Sequence, residues 1–318
     1  MTSVTEKTGG PSTSSDPRVS THFAGRARPG EAIIRMVLRL AAGLTVVTTI
    51  GILIALLVPS LSFFAEVPFW EFLFGDRWAP RFADASFGVF PLISATLWTT
   101  GIALLVAVPF GLGAAIFLAE YAKPRLRKVL KPLLEILAGV PTVVYGFFAL
   151  QFVQNVVLRE WLQLPTGAFS VLAAGLVMGV MIIPTVASIS EDAMSAVPSA
   201  LRQGSAALGA NRMQTTLRVV FPAALSGIVA AVVLGISRAV GETMIVAIAA
   251  GNQARIVTNP LEQGQTMTGF IASAALGDSR VGSIEYNTLF AVGLLLFVIT
   301  LLINFISIRF VRRFREAY

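Results

Sequence analysis

The sequence predicts an all-α integral membrane protein with six transmembrane helices. Of its 318 residues, 55% are hydrophobic and 13% charged, whereas an average globular chain carries about 25% charged residues. Mean hydropathy is +0.79, and several uncharged runs exceed the roughly 18 to 20 apolar residues that cross a bilayer. Folding in water would leave large apolar patches exposed, which excludes soluble enzyme folds. Cysteine is absent, so disulfides, thiolate metal sites and a cysteine nucleophile are excluded. The single histidine, His22, lies in the polar amino-terminal stretch, which leaves no histidine for an intramembrane proton relay or for Ser-His catalysis.

Residues 1–32 are rich in Ser, Thr, Gly and Pro without apolar periodicity; they predict a disordered cytoplasmic tail. Residues 33–318 then form one transmembrane domain. Its first apolar run is too long and too far from the start for a cleaved signal peptide. The runs 40–65, 87–119, 136–158, 161–190, 219–251 and 286–308 mark the six spans, the fifth only if two internal charges are allowed. Pro91, Pro109, Pro141 and Pro184 lie in or at the ends of these runs and should kink or break helices there. The aromatic-rich segment 61–90 reads as an interfacial belt with a short helix lying on the membrane.

Orientation follows from Lys and Arg. With the amino terminus inside, the cytoplasmic segments hold eighteen of them against five on the opposite side. Both termini, residues 120–132 and residues 191–222 are therefore expected in the cytoplasm. The same asymmetry explains a pI near 10.4 without nucleic acid, since the cations face anionic lipid and cytoplasmic partners.

No Gly-Lys dipeptide occurs, so there is no phosphate-cradling GxxxxGK[ST] loop, and neither HExxH nor GxSxG is present. The chain should not hydrolyse ATP itself, and nothing implies a cofactor or a metal. The most informative soluble stretch is AVPSALRQGSAALGANRMQTTLRVVFPAAL, residues 196–225. Pro198 suits a first helical turn, Leu201, Ser205 and Leu208 fall on one face, and Gly209 suits a stop, predicting a short amphipathic helix parallel to the membrane.

That stretch resembles the EAA loop of ABC-importer permeases. Gln203, Gly204 and Ser205 stand where the motif has Glu-Ala-Ala, Gly209 matches its glycine, Val219 and Phe221 its aliphatic positions, and Pro222 its proline. The departure at the Glu position puts a charge contact there in doubt. LAGVPTVVYGFFAL, GISRAVGETM, TMTGFIASAALGD and the terminal SIEYNTLFAVGLLLFVITLLINFI resemble membrane permease subunits of the phosphate-specific ABC importer, of the type with a long amino-terminal extension. The resemblance covers nearly everything after about residue 88. It implies a bacterial plasma-membrane protein, a homologous second permease subunit, two ATPase subunits, an external phosphate-binding protein, and inorganic phosphate as substrate. It also implies that Leu201, Gln203, Gly204, Ser205 and Gly209 belong to a helix seated in a cleft of the ATPase.

Arg238 and Glu242 stand on their own. Four residues apart in the fifth run, near mid-membrane if that run is one helix, they should share a face. Two such charges cost about 5 to 7 kcal/mol on insertion scales, so both must face protein or water. An intrahelical salt bridge would cancel part of that cost; alternatively the pair marks a substrate path, where a guanidinium fork matches phosphate oxygens. Glu242 could accept a hydrogen bond from the P–OH of phosphate, which sulfate lacks, or only neutralise Arg238. Thr142, Tyr145, Ser237 and Thr243 offer further hydroxyls in the same path, each also suited to helix packing. Rival readings are a permease for sulfate or another oxyanion, and an ion-coupled secondary transporter or anion channel.

Overall fold

The structure, a computed structural model, describes residues 29–313. The tail expected over 1–32 falls largely outside the described residues, and its last four belong to the first helix, α1 (Pro29–Glu66). The chain divides into two units, residues 1–52 and 53–318. The described part of the first is helical, and its side chains from Ile33 through Ile52 are exposed. Such an apolar surface is compatible with lipid and incompatible with water.

In the second unit α2 (Phe69–Phe74) and a two-residue hairpin, β1 (Trp78–Ala79) with β2 (Ser86–Phe87), follow the end of α1. The strands pair antiparallel with Trp78 opposite Phe87. This differs from a simple aromatic belt. Phe63, Phe72, Trp78 and Phe87 are buried with Phe270 and Val292, and the Trp78 and Phe270 rings meet edge to face at 4.9 Å. Phe69, Trp70, Phe74, Phe82 and Phe90 stay exposed and alone fit the belt. Four of the ten aromatic side chains in this segment thus form a core, with Phe64 packed against it, because rings on a short helix and hairpin alternate between inward and outward faces.

The scaffold of the unit is α3 (Phe90–Ile116), extended by a π-helical turn Phe117–Tyr121, against α6 (Val171–Ser195). Gly175 and Gly179, four apart on α6, make the close approach possible: a Cβ at either would come within 2.7 Å of Ile102 or Val106. Small residues at this spacing are a recurrent device for helix pairing in lipid, where apolar burial gives no net gain.

Between them α4 (Pro124–Ala138) and α5 (Thr142–Phe148), with its π-helical continuation Ala149–Trp161, are bent by 87° around residues 139–141. Pro141 has no N–H to continue a helix and Gly139 weakens it. The apolar run 136–158 is therefore divided between the end of α4 and α5 with its continuation, and the next long helix starts at Val171, not at 161.

The loop after α6 forms α7 (Ser199–Ala207), α8 (Arg212–Thr215) and α9 (Phe221–Ala223), then α10 (Leu225–Val240). The run Arg212–Ala223 meets α10 at 72°. After a break come α11 (Met244–Ala249), α12 (Met267–Ala275) and α13 (Ile284–Arg313). Among the described residues four helices are long and apolar enough to span a membrane, or six if each bent pair is one span.

Candidate functional site

The fifth apolar run is not one helix. α10 ends at Val240, residues 241–243 are non-helical, and α11 starts at Met244. Arg238 lies in the last turn of α10, and Glu242 sits inside the break, so the shared helical face that their spacing predicted does not exist. The salt bridge between them is not formed either: among the described residues no ion pair of Arg238 is present. Its Nη1 instead donates to Thr185 Oγ1 on α6 at 3.2 Å. A guanidinium has five N–H donors, and the others have no protein acceptor among the described residues.

Glu242 is buried, and its Oε1 accepts the backbone N–H groups of Met244 at 3.0 Å and Ile245 at 3.3 Å. Both are orphan donors of the α11 start, which a carboxylate satisfies well. Its carbonyl accepts the Thr268 hydroxyl from α12 at 2.7 Å. The break is thus pinned from two sides. Discontinuous helices in membranes are tolerated where they line a cavity or a substrate path.

The lesser hydroxyls divide. Thr243 lies in the break, its Oγ1 donating to the Gly241 carbonyl at 3.3 Å. Tyr145 packs on the core that holds Ala239, Ile245 and Val246, yet its hydroxyl donates to the Leu137 carbonyl at 2.9 Å, bracing the bend between α4 and α5. Ser237 donates to Asn304 Oδ1 on α13 at 3.3 Å, a helix-to-helix contact. Thr142 opens α5 half-buried, and no contact among the described residues brings it to Arg238. α5 itself lies close, since a Cβ on Gly146 would come 3.2 Å from the Met244 carbonyl.

Thr185 was not legible as a site residue, being one threonine in an apolar run. Its signal is Pro184 beside it, which deprives the Val180 carbonyl of its helical donor and loosens α6 at that level.

The loop helix forms as the pattern predicts, with two corrections. α7 runs from Ser199 after Pro198, and Gly209 closes the turn with φ +83°, a conformation that favours glycine. Leu201 packs against the core of Met194, Val220 and Ile228, and Ser205 Oγ lies 2.9 Å from Thr215 Oγ1. Leu208, however, falls past the helix end and is 91% exposed, so it does not share the inner face. Gln203, Gly204 and Gly209 are exposed. Leu201, Gly204, Ser205, Gly209, Gln214 and Arg218 border a groove of about 530 Å³.

The second correction concerns charge. Arg202, which the motif did not single out, ties α7 to the membrane part. Its Nε and Nη2 donate to Glu120 Oε1 at 3.1 and 3.0 Å, and Nη1 and Nη2 to the carbonyls of Val197 at 2.6 Å and Met194 at 2.8 Å. Glu191, fully buried on α6, accepts Arg127, Lys131 Nζ at 2.7 Å and the Ser195 hydroxyl at 3.0 Å. The basic run 123–131 therefore pairs with α6 and not with the exposed Glu135 that follows it in sequence. The cationic partners of both carboxylates come from segments 60 to 82 positions away.

Residues 107–316 match a family model described as a binding-protein-dependent transport system inner membrane component. Among curated relatives, the chain is 39% identical over 281 residues to the probable ABC transporter permease protein YqgH of Bacillus subtilis, covering 86% of this chain and 90% of that protein. It is 34% identical over 290 residues to the phosphate transport system permease protein PstC of Mesorhizobium japonicum, covering 86% and 87% respectively. Among solved structures, a chain of a bacterial alginate ABC transporter in complex with its alginate-bound periplasmic protein superposes with a TM-score of 0.57 at 18% identity. That superposition covers 89% of this chain and 96% of the other, and at this identity the likeness is one of fold.

Proposed function

The chain belongs to the family of binding-protein-dependent transport system inner membrane components, and from that premise we propose that it is a permease subunit of an ATP-driven importer of inorganic phosphate. Its fold is that of ABC-importer permeases. The Mesorhizobium japonicum relative named as a phosphate permease, similar over most of both chains, supports phosphate as the cargo. The observation that carries the reading is Arg238, a guanidinium held by Thr185 at a helix break within the membrane part, with its remaining donors unspent among the described residues.

An oxyanion entering this break loses water, and a fixed cation with several N–H donors offsets that loss. The planar fork suits the tetrahedral face of phosphate better than an ammonium would. Glu242 has two uses here. Its Oε1 holds the start of α11, and its Oε2, which has no partner among the described residues, is a hydrogen-bond acceptor for P–OH. Sulfate at neutral pH has no proton to offer it, so the same oxygen repels sulfate.

ATP binding and hydrolysis take place in two separate subunits, and α7 sits in a cleft of one of them. A homologous second permease completes the path, and an external phosphate-binding protein delivers the anion. Movement of α7 reaches α3 through Arg202 and Glu120, so that the path opens alternately to either side. Residues 120–132 and 191–222 and both termini are cytoplasmic in this arrangement.

Affinity purification of the tagged chain from bacterial membranes, followed by mass spectrometry, tests the assembly. The proposal expects a second permease and an ATPase to co-purify. A chain that purifies alone and still moves anions would be a self-contained transporter or channel.

A further inference from the structure

α4 presents three different faces, and the outermost has no protein partner among the described residues. Toward α6 lie Arg127, Leu130, Lys131 and Leu134, partly buried, with both cations taken up by Glu191 and Asp192. About a third of a turn away, Leu126, Val129, Leu133, Ile136 and Leu137 recur at spacings of three and four and are all exposed. Lys128 and Glu135 point to the third side, with Arg125 at its edge and Lys123 just before the helix; these are exposed as well. Of the five cations in 123–131, two are neutralised by α6 and three are left for the surroundings.

We infer that α4 is an interfacial helix that buries its Leu126 to Leu137 stripe in the bilayer surface and holds anionic phospholipid headgroups with Lys123, Arg125 and Lys128. The occupant follows from geometry and charge. α4 is bent 87° from the span that follows it, and it is joined at its other end to α3 through the π-helical turn and only two further residues. Both neighbours are membrane helices, so α4 is held in the plane of the membrane surface. Five large apolar residues on one side would be costly in water. An apolar stripe edged by cations is the composition of helices that lie in the headgroup region of anionic membranes. The carboxylate of Glu135 reduces the free charge by one and leaves it positive. Glu191 has a part in this: by taking Arg127 and Lys131 it fixes the rotation of α4, which aims the stripe at lipid.

The inference rests on the membrane-permease reading, and its test keeps the two apart. The assembled complex is placed in vesicles of phosphatidylcholine alone or mixed with phosphatidylglycerol. Because the chain has no cysteine, Leu133→Cys and Lys128→Cys can each carry an environment-sensitive fluorophore, with the parent complex setting the labelling background. Brominated lipid should quench the probe at 133 strongly and the probe at 128 weakly. In a second measurement, combined Lys123→Gln, Arg125→Gln and Lys128→Gln should lower the ratio of phosphatidylglycerol to phosphatidylcholine retained on purification several-fold. An unquenched probe at 133, as when the second permease covers the stripe, or an unchanged lipid ratio overturns the inference. ATP-dependent phosphate uptake by the same vesicles reports separately on the permease reading.

Discussion

Among the described residues Arg238 donates one hydrogen bond, to Thr185, and that bond aims the rest of the guanidinium. Arg238→Ala should abolish phosphate uptake at matched expression, and Arg238→Lys should lower it substantially by keeping charge without the fork. Thr185→Val removes only the aiming contact. It should weaken phosphate uptake about fivefold, the equivalent of about 1 kcal/mol for one hydrogen bond, read as a raised KM in membrane vesicles. At Glu242 the cap and the charge can be separated. Glu242→Ala leaves the Met244 and Ile245 N–H groups unpaired and should cost about 0.5 to 2 kcal/mol, seen as a lower Tm. Glu242→Gln keeps an acceptor for the cap, so Tm should hold while discrimination against sulfate shrinks in an assay that bypasses the binding protein. Equal discrimination in Glu242→Gln would leave the residue with capping alone. The sequence made Arg238 conspicuous because a charge in an apolar run has few explanations. It hid the cap, because a spacing of four reads as one helix face unless Gly241 is known to end the helix.

At the level of elements, α7 is rigidly tied to the protein on one side and open on the other. Gly209 has φ +83°, yet a Cβ there would meet nothing within 4 Å. Gly209→Ala and Gly209→Phe share the same backbone strain, of order 1 kcal/mol, but only Phe adds bulk toward a partner. Pull-down of the ATPase should therefore survive Gly209→Ala largely intact and fall sharply with Gly209→Phe, while membrane insertion is normal in both. Arg202→Met breaks the link to Glu120 without removing the exposed face of α7. ATP hydrolysis should continue in that variant while transport per ATP falls; an unchanged ratio would show that the pair serves folding only. The helix and its stop were readable from Pro198 and Gly209. The Arg202–Glu120 pair was not, since its partners are 82 positions apart and sequence periodicity reports only neighbours. In the same way Pro141 announced a bend near it, but apolar composition alone carried the third run across that bend because the apolar end of α4 continues it.

For the whole molecule, the membrane class followed from composition, and the six runs correspond to four long helices and two bent pairs; the broken helices that build the candidate site did not follow, because hydropathy does not distinguish one long helix from two short ones at an angle. Topology is open to direct labelling. Thr266 is buried as the cap of α12, so Asp278, which is exposed, is the better outer reporter in that region. Single cysteines at Asp76 and Asp278 should react with an impermeant thiol reagent on intact cells, and those at Lys128 and Asn211 should not; the reverse pattern would invert the orientation. The central claim, that this chain forms half of an ATP-driven phosphate path through the α10–α11 break, is tested most directly by uptake of labelled phosphate into vesicles holding the assembled complex, its binding protein and ATP. The account predicts accumulation that requires ATP, is indifferent to excess sulfate, and disappears with Arg238→Ala although the complex assembles. Uptake by Arg238→Ala at the parent rate, or phosphate flux that needs no ATP, would contradict it.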